Sequence, residues 1–217
     1  RAPGLGPGGS RFKPEHPDAS PPNGVRRLAG AFFLSVLIAG PAAAKELVRN
    51  RDTFVFGAIG EVTSLDPVFP YDAVSQGVIF NVYDTLLAFE GETNDRVVPR
   101  LATEVPGVKN GLVSMDGRSY SFPIRKGVRF HDGTLLTPHD VRYSLLRFML
   151  TDPAGGPASL LLEPILGVAS TRDAGGKVQV RWEDAERAVR VEGGKVVVRL
   201  AKPFAPFLAI MARWSYV

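Results

Sequence analysis

Apolar positions along the chain alternate between strand and helix spacings. Residues 53–59 (TFVFGAI) form a largely apolar run that predicts a buried strand. A turn at Asp66-Pro67 follows, and apolar residues then recur at helical spacing between 74 and 87. This spacing predicts a helix from about Asp72 to Ala88, with Asp72 as its N-cap. The succession of strand, turn and helix is typical of an α/β protein.

The second half of the chain continues this alternation. Apolar and polar residues alternate over 120–124, which predicts a half-buried strand. Residues 188–200 predict a hairpin, because Gly193-Gly194 can adopt the positive φ angles of its turn. A short apolar helix is predicted to begin near Pro203 and Pro206.

The stretch 127–140 (GVRFHDGTLLTPHD) predicts a strand, a turn and the start of a helix. Asp132-Gly133 suits the tight turn. Thr137 has the position of an N-cap, with a proline after it and Asp140 three residues later, which is the order of a capping box. The apolar stripe that follows predicts a helix ending before Asp152.

The same stretch holds two His-Asp pairs that form a candidate metal or acid/base site. In that interpretation His131 and His139 are ligands, and Asp132 or Asp140 supplies a further ligand or a base. The spacing argues against it, because one histidine falls at a strand end and the other in the first turn of a helix. No zinc-protease, nucleophile-elbow or phosphate-loop motif occurs in the sequence either. We therefore expect no catalysis and no cofactor.

Composition separates a leader from the body of the chain. Residues 1–24 are rich in proline and glycine, which predicts disorder. Because the first methionine is Met115, a second hypothesis is that Val25 is an alternative start and residues 1–24 are an artefact of start-site choice. Residues 25–44 have two arginines, a short apolar run and small residues before Lys45, the layout of a secretory signal peptide. The first 44 residues hold five basic and two acidic side chains, leaving 21 basic against 20 acidic afterwards. The body is nearly neutral, so a nucleic-acid partner is not expected.

The chain has no cysteine. Disulfides, thiolate metal sites and a lipid-modified cysteine anchor are therefore not expected.

Three ordered stretches resemble the extracellular solute-binding proteins of family 5, which serve ABC importers of peptides, dipeptides or nickel. The stretches are GEVTSLDP with the following helix ending in NVYDTLL (60–87), GRSYSFPIRKGVRFHDGT with TPHDVRYSLLR (117–147), and VVVRLAKPFAPFL (196–208). Pro123 departs from the family pattern and suggests an edge strand. Family members are about twice this length or more, so the chain resembles their N-terminal portion.

The resemblance implies an α/β fold of the periplasmic binding protein type (type II) with the extra subdomain of the peptide-binding group. Residues 45–66 and 170–217 are expected to belong to the first lobe, and 67–169 to the extra subdomain. The second lobe is expected to be missing.

The resemblance also implies candidate ligand-binding residues just after the Leu-Asp-Pro motif. Tyr71 would pack on the ligand, Asp72 would pair with an amino terminus, and the Ala73 backbone would hydrogen-bond. The residues alone leave open whether Asp72 only caps the helix and Tyr71 only covers the core. Trp214 and Tyr216 are further candidates for the cleft, although interior packing suits both.

The function implied is the periplasmic solute-binding component of an ABC importer, monomeric and without a lipid anchor. It would capture a peptide or similar small solute and deliver it to the membrane permease. One alternative is a truncated fragment that exposes apolar surface, aggregates and binds no peptide. The other is a metal-dependent hydrolase using the two His-Asp pairs. The sequence does not identify the ligand.

Overall fold

The computed structural model describes residues 52, 53, 55 and 57–217. The ranges predicted as a leader (1–24) and as a signal peptide (25–44) lie outside the described residues, and both assignments remain predictions. The described part contains five helices and five strands. They are α1 (Ala73–Val82), β1 (Leu87–Phe89), β2 (Val97–Pro99), β3 (Ser119–Pro123), α2 (Pro138–Thr151), α3 (Ser159–Leu166), α4 (Trp182–Ala188), β4 (Val189–Glu192), β5 (Lys195–Arg199) and α5 (Phe207–Trp214). Strands β1–β3 follow one another before α2, and helices α2–α4 follow one another before β4.

The larger sheet has three antiparallel strands in the order β3-β5-β4. The hairpin of β4 and β5 turns at Gly193 and Gly194, whose φ angles are 55° and 77°, which confirms the predicted turn. Strand β3 lies at the edge, as Pro123 indicated, because proline lacks the N–H that a central strand needs. Strands β1 and β2 form a separate antiparallel pair.

Helix α2 packs against β4 and β5. Its N-terminus carries the predicted capping box, since the Thr137 side chain accepts from the Asp140 N–H and the Asp140 carboxylate accepts from the Thr137 N–H. The core contains buried residues from helices and strands alike. Among its fully buried larger side chains are Phe122, Val141, Leu145, Met149, Leu161, Leu200, Phe207 and Met211.

Three predicted elements differ from the structure. In place of the strand predicted after Gly127 there is only an isolated antiparallel bridge between Arg129 and Leu135, because the chain reverses at the Asp132-Gly133 turn and pairs with itself over one residue.

The helix predicted from Asp72 to Ala88 is α1, which ends at Val82 because residues 87–89 pair with β2. A short apolar run fits either a helix or a strand, and the pairing partner decides. The strand predicted over 53–59 is absent from its described residues, and Val55 and Ile59 are exposed. In the described part no neighbouring strand pairs with this segment, and an extended segment needs such a neighbour to satisfy its backbone groups.

The expected division of the chain into a first lobe and an extra subdomain remains a prediction. Strand β3 comes from the range 67–169 and pairs with β5 from the range 170–217. Buried side chains from both ranges also share one hydrophobic cluster. Over residues 68–212 the two ranges therefore contribute to one core. Within the described residues, no helix has the length and apolar character needed to cross a bilayer.

Candidate functional site

The candidate site begins at the N-terminus of α1, where Asp72 is the N-cap. One carboxylate oxygen, Oδ1, accepts a 2.8 Å hydrogen bond from the Ser75 N–H, and Oδ2 accepts from the Thr63 hydroxyl at 3.2 Å. The hydrogen bond from the Ser75 backbone is the main reason that the pKa of Asp72 lies below its ordinary value. The carboxylate is thus charged at neutral pH and confirmed as a cap.

Tyr71 lies beside this cap and contacts Trp214. Their ring centroids are 5.4 Å apart and the planes are tilted by 39°. Tyr71 is 60% exposed, whereas Trp214 is half-buried against Phe148 and Tyr216, at centroid distances of 6.2 and 6.4 Å. Tyr71 is therefore the exposed member of a cluster of four aromatic rings, whose other members are Trp214, Phe148 and Tyr216. We call Tyr71 and Trp214 the aromatic platform.

A groove of about 430 Å³ runs between α1 and the end of α5. Gln76 lies in it and joins two segments, since its Nε2 donates to the Pro70 carbonyl at 2.9 Å and its Oε1 accepts from the Tyr216 hydroxyl at 2.9 Å. Ala73 and Trp214 both line this groove. Its full lining is Ala73, Gln76, Gly77, Phe80, Asn81, Arg213, Trp214 and Tyr216.

The four residues predicted as ligand contacts are thus neighbours. Tyr71, Asp72 and Ala73 are consecutive, and Trp214 approaches them from the other end of the described chain. Of the two residues that sequence reasoning assigned to cleft or interior, Tyr216 is buried and Trp214 is only half-buried. Whether these residues bind a ligand remains a prediction.

Sequence reasoning missed the ion pair that holds this region. Arg147 of α2 donates to both carboxylate oxygens of Asp66, at 2.7 Å to Oδ1 and 2.5 Å to Oδ2. The guanidinium is the largest influence on Asp66 and lowers its pKa, while the carboxylate raises the pKa of Arg147. Both residues belong to the stretches that carry the family resemblance, which was the available signal. The two residues are 81 positions apart, so no local sequence pattern indicates that they form a contact.

The two His-Asp pairs serve a turn and a cap in the structure. Asp132 accepts from the N–H and hydroxyl of Thr134, at 2.9 and 2.7 Å, and these bonds lower its pKa. Asp140 accepts from the Thr137 N–H at 2.7 Å. His131 and His139 are exposed. In the described residues no three His, Cys, Asp or Glu side chains gather in a way suited to a metal ion.

Comparison with known proteins gives the class to which this fold belongs. Residues 96–217 match the sequence profile of the bacterial extracellular solute-binding proteins, family 5, in its middle part. The matched range is more than half of the chain, so the chain belongs to this family. The resemblance carried by the three sequence stretches is therefore confirmed.

Individual relatives agree with this assignment. Protein XP55 of Streptomyces lividans is 31% identical over 158 residues, which cover 73% of this chain and 23% of XP55. A probable peptide ABC transporter periplasmic-binding protein of Sinorhizobium fredii, y4tO, is 31% identical over 129 residues, which cover 57% of this chain and 23% of that protein. The chain thus spans about a quarter of the length of these relatives.

Solved structures show the same fold. The clavulanic acid biosynthesis oligopeptide binding protein 2 is 27% identical, with a TM-score of 0.53 over 71% of this chain and 27% of that one. The pheromone receptor PrgZ is 26% identical, with a TM-score of 0.53 over 72% of this chain and 29% of PrgZ. The described residues therefore form part of the α/β fold of periplasmic peptide-binding proteins, as predicted. The family and these structural neighbours are binding proteins.

Proposed function

We propose that this chain is part of the solute-binding component of an ABC importer, which captures a peptide or similar small solute and delivers it to the membrane permease. The aromatic platform beside the charged N-terminus of α1 is the observation that carries the proposal, together with membership of the family. The protein works as a monomer on the periplasmic side of the membrane, after export by a signal peptide. It catalyses no reaction.

Each candidate residue has a distinct part in capture. The exposed Tyr71 ring offers flat apolar area at low entropic cost. Ala73 is the first residue of α1, so its N–H has no acceptor within the helix and can donate to a ligand carbonyl. Asp72 can accept from a ligand amino group, because a carboxylate has about four acceptor positions and the cap uses only some of them.

Transport of this kind depends on differential affinity. A two-lobed binding protein closes when the ligand contacts both lobes, because the ligand stabilises only the arrangement in which both sets of contacts form. In this proposal the aromatic platform and α1 form the contacts of one lobe. The permease then recognises the closed state.

A non-binding fragment is the second candidate, and a specific observation favours it. Val78, Phe80 and Val82 of α1 are exposed in the described part, and the chain spans about a quarter of its relatives' length. Contacts from one lobe alone give little affinity for a ligand that two lobes enclose. We therefore expect the 217-residue chain by itself to show no saturable peptide binding.

Titration calorimetry on the protein expressed from its whole gene tests the proposal, with a tripeptide and its N-acetylated form as ligands. Asp72→Asn keeps a good N-cap but removes the charge. We expect it to weaken binding of the free-amine peptide by about ten-fold and to leave the acetylated peptide unchanged. Tyr71→Ala should weaken binding of both peptides by about five-fold.

Tyr143→Ala is the matched control for Tyr71→Ala. Tyr143 lies on α2 and is 66% exposed, close to the 60% of Tyr71, but it lines neither the groove nor the aromatic platform. We expect wild-type affinity for this variant. The proposal fails if the whole gene product binds neither peptide, or if Tyr71→Ala and Asp72→Asn both bind as wild type does.

A further inference from the structure

The ion pair between Asp66 and Arg147 joins two distant parts of the chain in a fixed geometry. The two terminal guanidinium nitrogens of Arg147 each donate to a different carboxylate oxygen of Asp66, which gives a bidentate ion pair. The side chains are 32% and 36% exposed. A partly exposed ion pair adds little to overall stability, whereas a two-point contact restricts orientation strongly. Its main effect is therefore on the placement of the segment that carries Asp66.

Asp66 organises the residues that follow it. Its Oδ1 also accepts from the Val68 N–H at 3.3 Å, and its carbonyl accepts from the Phe69 N–H at 3.2 Å. Val68 is buried, and its carbonyl oxygen lies so near Gly156 that a Cβ there would approach it to 2.9 Å. The turn is therefore enclosed on one side by the loop after α2 and tied by Asp66 to α2 itself.

The far end of the same segment is tied separately. The Pro70 carbonyl accepts from Gln76, which in turn accepts from the buried Tyr216 hydroxyl. Tyr71 follows directly, and its ring lies against that of Trp214. The segment from Asp66 to Tyr71 is thus only six residues long, and it is held at Asp66 and at Pro70.

Helix α2 also supports the other half of the aromatic platform. Phe148 follows Arg147 in sequence, and its ring centroid is 6.2 Å from that of Trp214. One turn of α2 therefore contacts the segment leading to Tyr71 through Arg147, and contacts Trp214 through Phe148. This turn of helix thus helps to place both platform rings, in addition to the tie of Pro70 through Gln76.

We infer that Asp66 and Arg147 are positioning residues: their ion pair holds the segment 66–71 on α2 at the place where Tyr71 stacks on Trp214. The platform is thereby preorganised before a ligand arrives, which lowers the entropic cost of binding. The part of this inference that concerns ligand affinity rests on the proposed function. The part that concerns the geometry of Tyr71 and Trp214 does not.

The structure supplies a matched control on the same helix. Arg142 of α2 pairs with Glu186 of α4 at 2.9 Å, with side-chain exposures of 25% and 42%. This pair resembles Asp66–Arg147 in type and burial but contacts neither the segment 66–71 nor the platform. Glu186→Gln therefore removes an equivalent charge without disturbing the aromatic rings.

Fluorescence tests the geometry without any ligand. The chain has two tryptophans, so Trp182→Phe leaves Trp214 as the only tryptophan in these 217 residues, and excitation at the red edge of the indole band avoids the tyrosines. In that background we expect Asp66→Asn to shift the Trp214 emission to longer wavelength, because Tyr71 no longer shields the indole from water. Glu186→Gln should leave the emission unchanged. Arg147→Lys keeps the charge but loses the two-point contact, so we expect an intermediate shift.

Calorimetry with the tripeptide, on the whole gene product, tests the consequence for affinity. We expect Asp66→Asn to weaken binding by about five-fold, and Glu186→Gln to bind as wild type does. Arg147→Gln should add nothing to the effect of Asp66→Asn, because both changes remove the same contact. If Asp66→Asn does not fold, Arg147→Lys takes its place in both measurements.

The outcomes separate this inference from the proposed function. A Trp214 shift specific to the Asp66 and Arg147 variants, in a wild type that binds no peptide, supports the positioning geometry and contradicts the proposed function. Saturable binding that Asp66→Asn or Arg147→Lys leaves unchanged overturns the positioning role. The positioning role is also overturned if the Trp214 emission of Asp66→Asn equals that of the wild type, or if Glu186→Gln shifts this emission as far as Asp66→Asn does.

Discussion

The Tyr216 hydroxyl shows how a single buried polar group is accommodated beside the candidate site. The residue is 7% exposed, and its hydroxyl donates to Gln76 Oε1 at 2.9 Å. Burial disfavours the phenolate and raises the pKa of Tyr216 to about 12. Tyr216 therefore remains a neutral hydrogen-bond donor throughout the neutral range and keeps Gln76 oriented toward Pro70.

This shift predicts a dependence of stability on alkaline pH. The folded pKa of about 12 lies above the ordinary value of 10, so the contribution is complete below pH 10 and is lost as the pH rises through 12. Unfolding by urea, followed by circular dichroism between pH 8 and 12, should show a smaller alkaline loss for Tyr216→Phe than for wild type. Burial also raises the pKa of Tyr120, so part of the alkaline loss of stability should remain in Tyr216→Phe.

Tyr143→Phe is the control, because Tyr143 is exposed. It should retain the full alkaline loss of the wild type. An equal alkaline loss of unfolding free energy in Tyr216→Phe and in the wild type would contradict the raised pKa of Tyr216.

At the scale of elements, the same substitution is expected to have opposite effects in a helix and in a turn. Gly77 lies within α1, where an added Cβ meets no atom within 4 Å, so Gly77→Ala should stabilise the protein by about 0.5–1 kcal/mol. Gly194 has a φ of 77° in the β4–β5 turn, so Gly194→Ala should destabilise it by about 1 kcal/mol. Urea unfolding measures both, and shifts of the same sign would contradict the argument.

The candidate site is also organised at the scale of elements. Helix α2 begins at the Thr137–Asp140 capping box and presents Arg147 and Phe148 on one turn. The N-terminus of α1 presents Asp72 and Ala73, and the end of α5 presents Trp214. Three helix segments thus converge on one aromatic pair, although none of them contains a catalytic motif.

At the scale of the whole molecule, apolar side chains remain on the surface of the described part. Val78, Phe80 and Val82 are exposed along α1, and Leu65 and Phe69 are exposed in the segment before it. Val78 and Val82 are four residues apart and therefore share a face of α1, and neighbouring exposed apolar groups of this kind mark a surface that associates with another surface.

We therefore expect the 217-residue chain to bind the dye ANS and to self-associate with rising concentration, as light scattering after gel filtration would show. Val78→Ser combined with Val82→Ser should lower both signals. Val178→Ser is the control, because Val178 is exposed in a loop outside this surface. Equal effects of the two changes, or a monomer that binds no dye, would contradict the expectation.

Local features of this protein were readable from its sequence. The Asp72 cap, the Thr137–Asp140 capping box and the Gly193-Gly194 turn depend on residues within a few positions of each other. The strand at 119–123 followed from a simple alternation, and the edge position followed from Pro123. The three ordered motifs also identified the family, because they are local patterns that need no coordinates.

Only the tertiary structure decided which distant residues meet. The end of α1 at Val82 depends on strand pairing with residues 97–99, and the Asp66–Arg147 ion pair joins residues 81 positions apart. The contact of Tyr71 with Trp214 likewise depends on how α2 and α5 pack. The physical reason is that caps and turns gain their free energy from neighbours in sequence, whereas ion pairs and aromatic contacts gain it from neighbours in space.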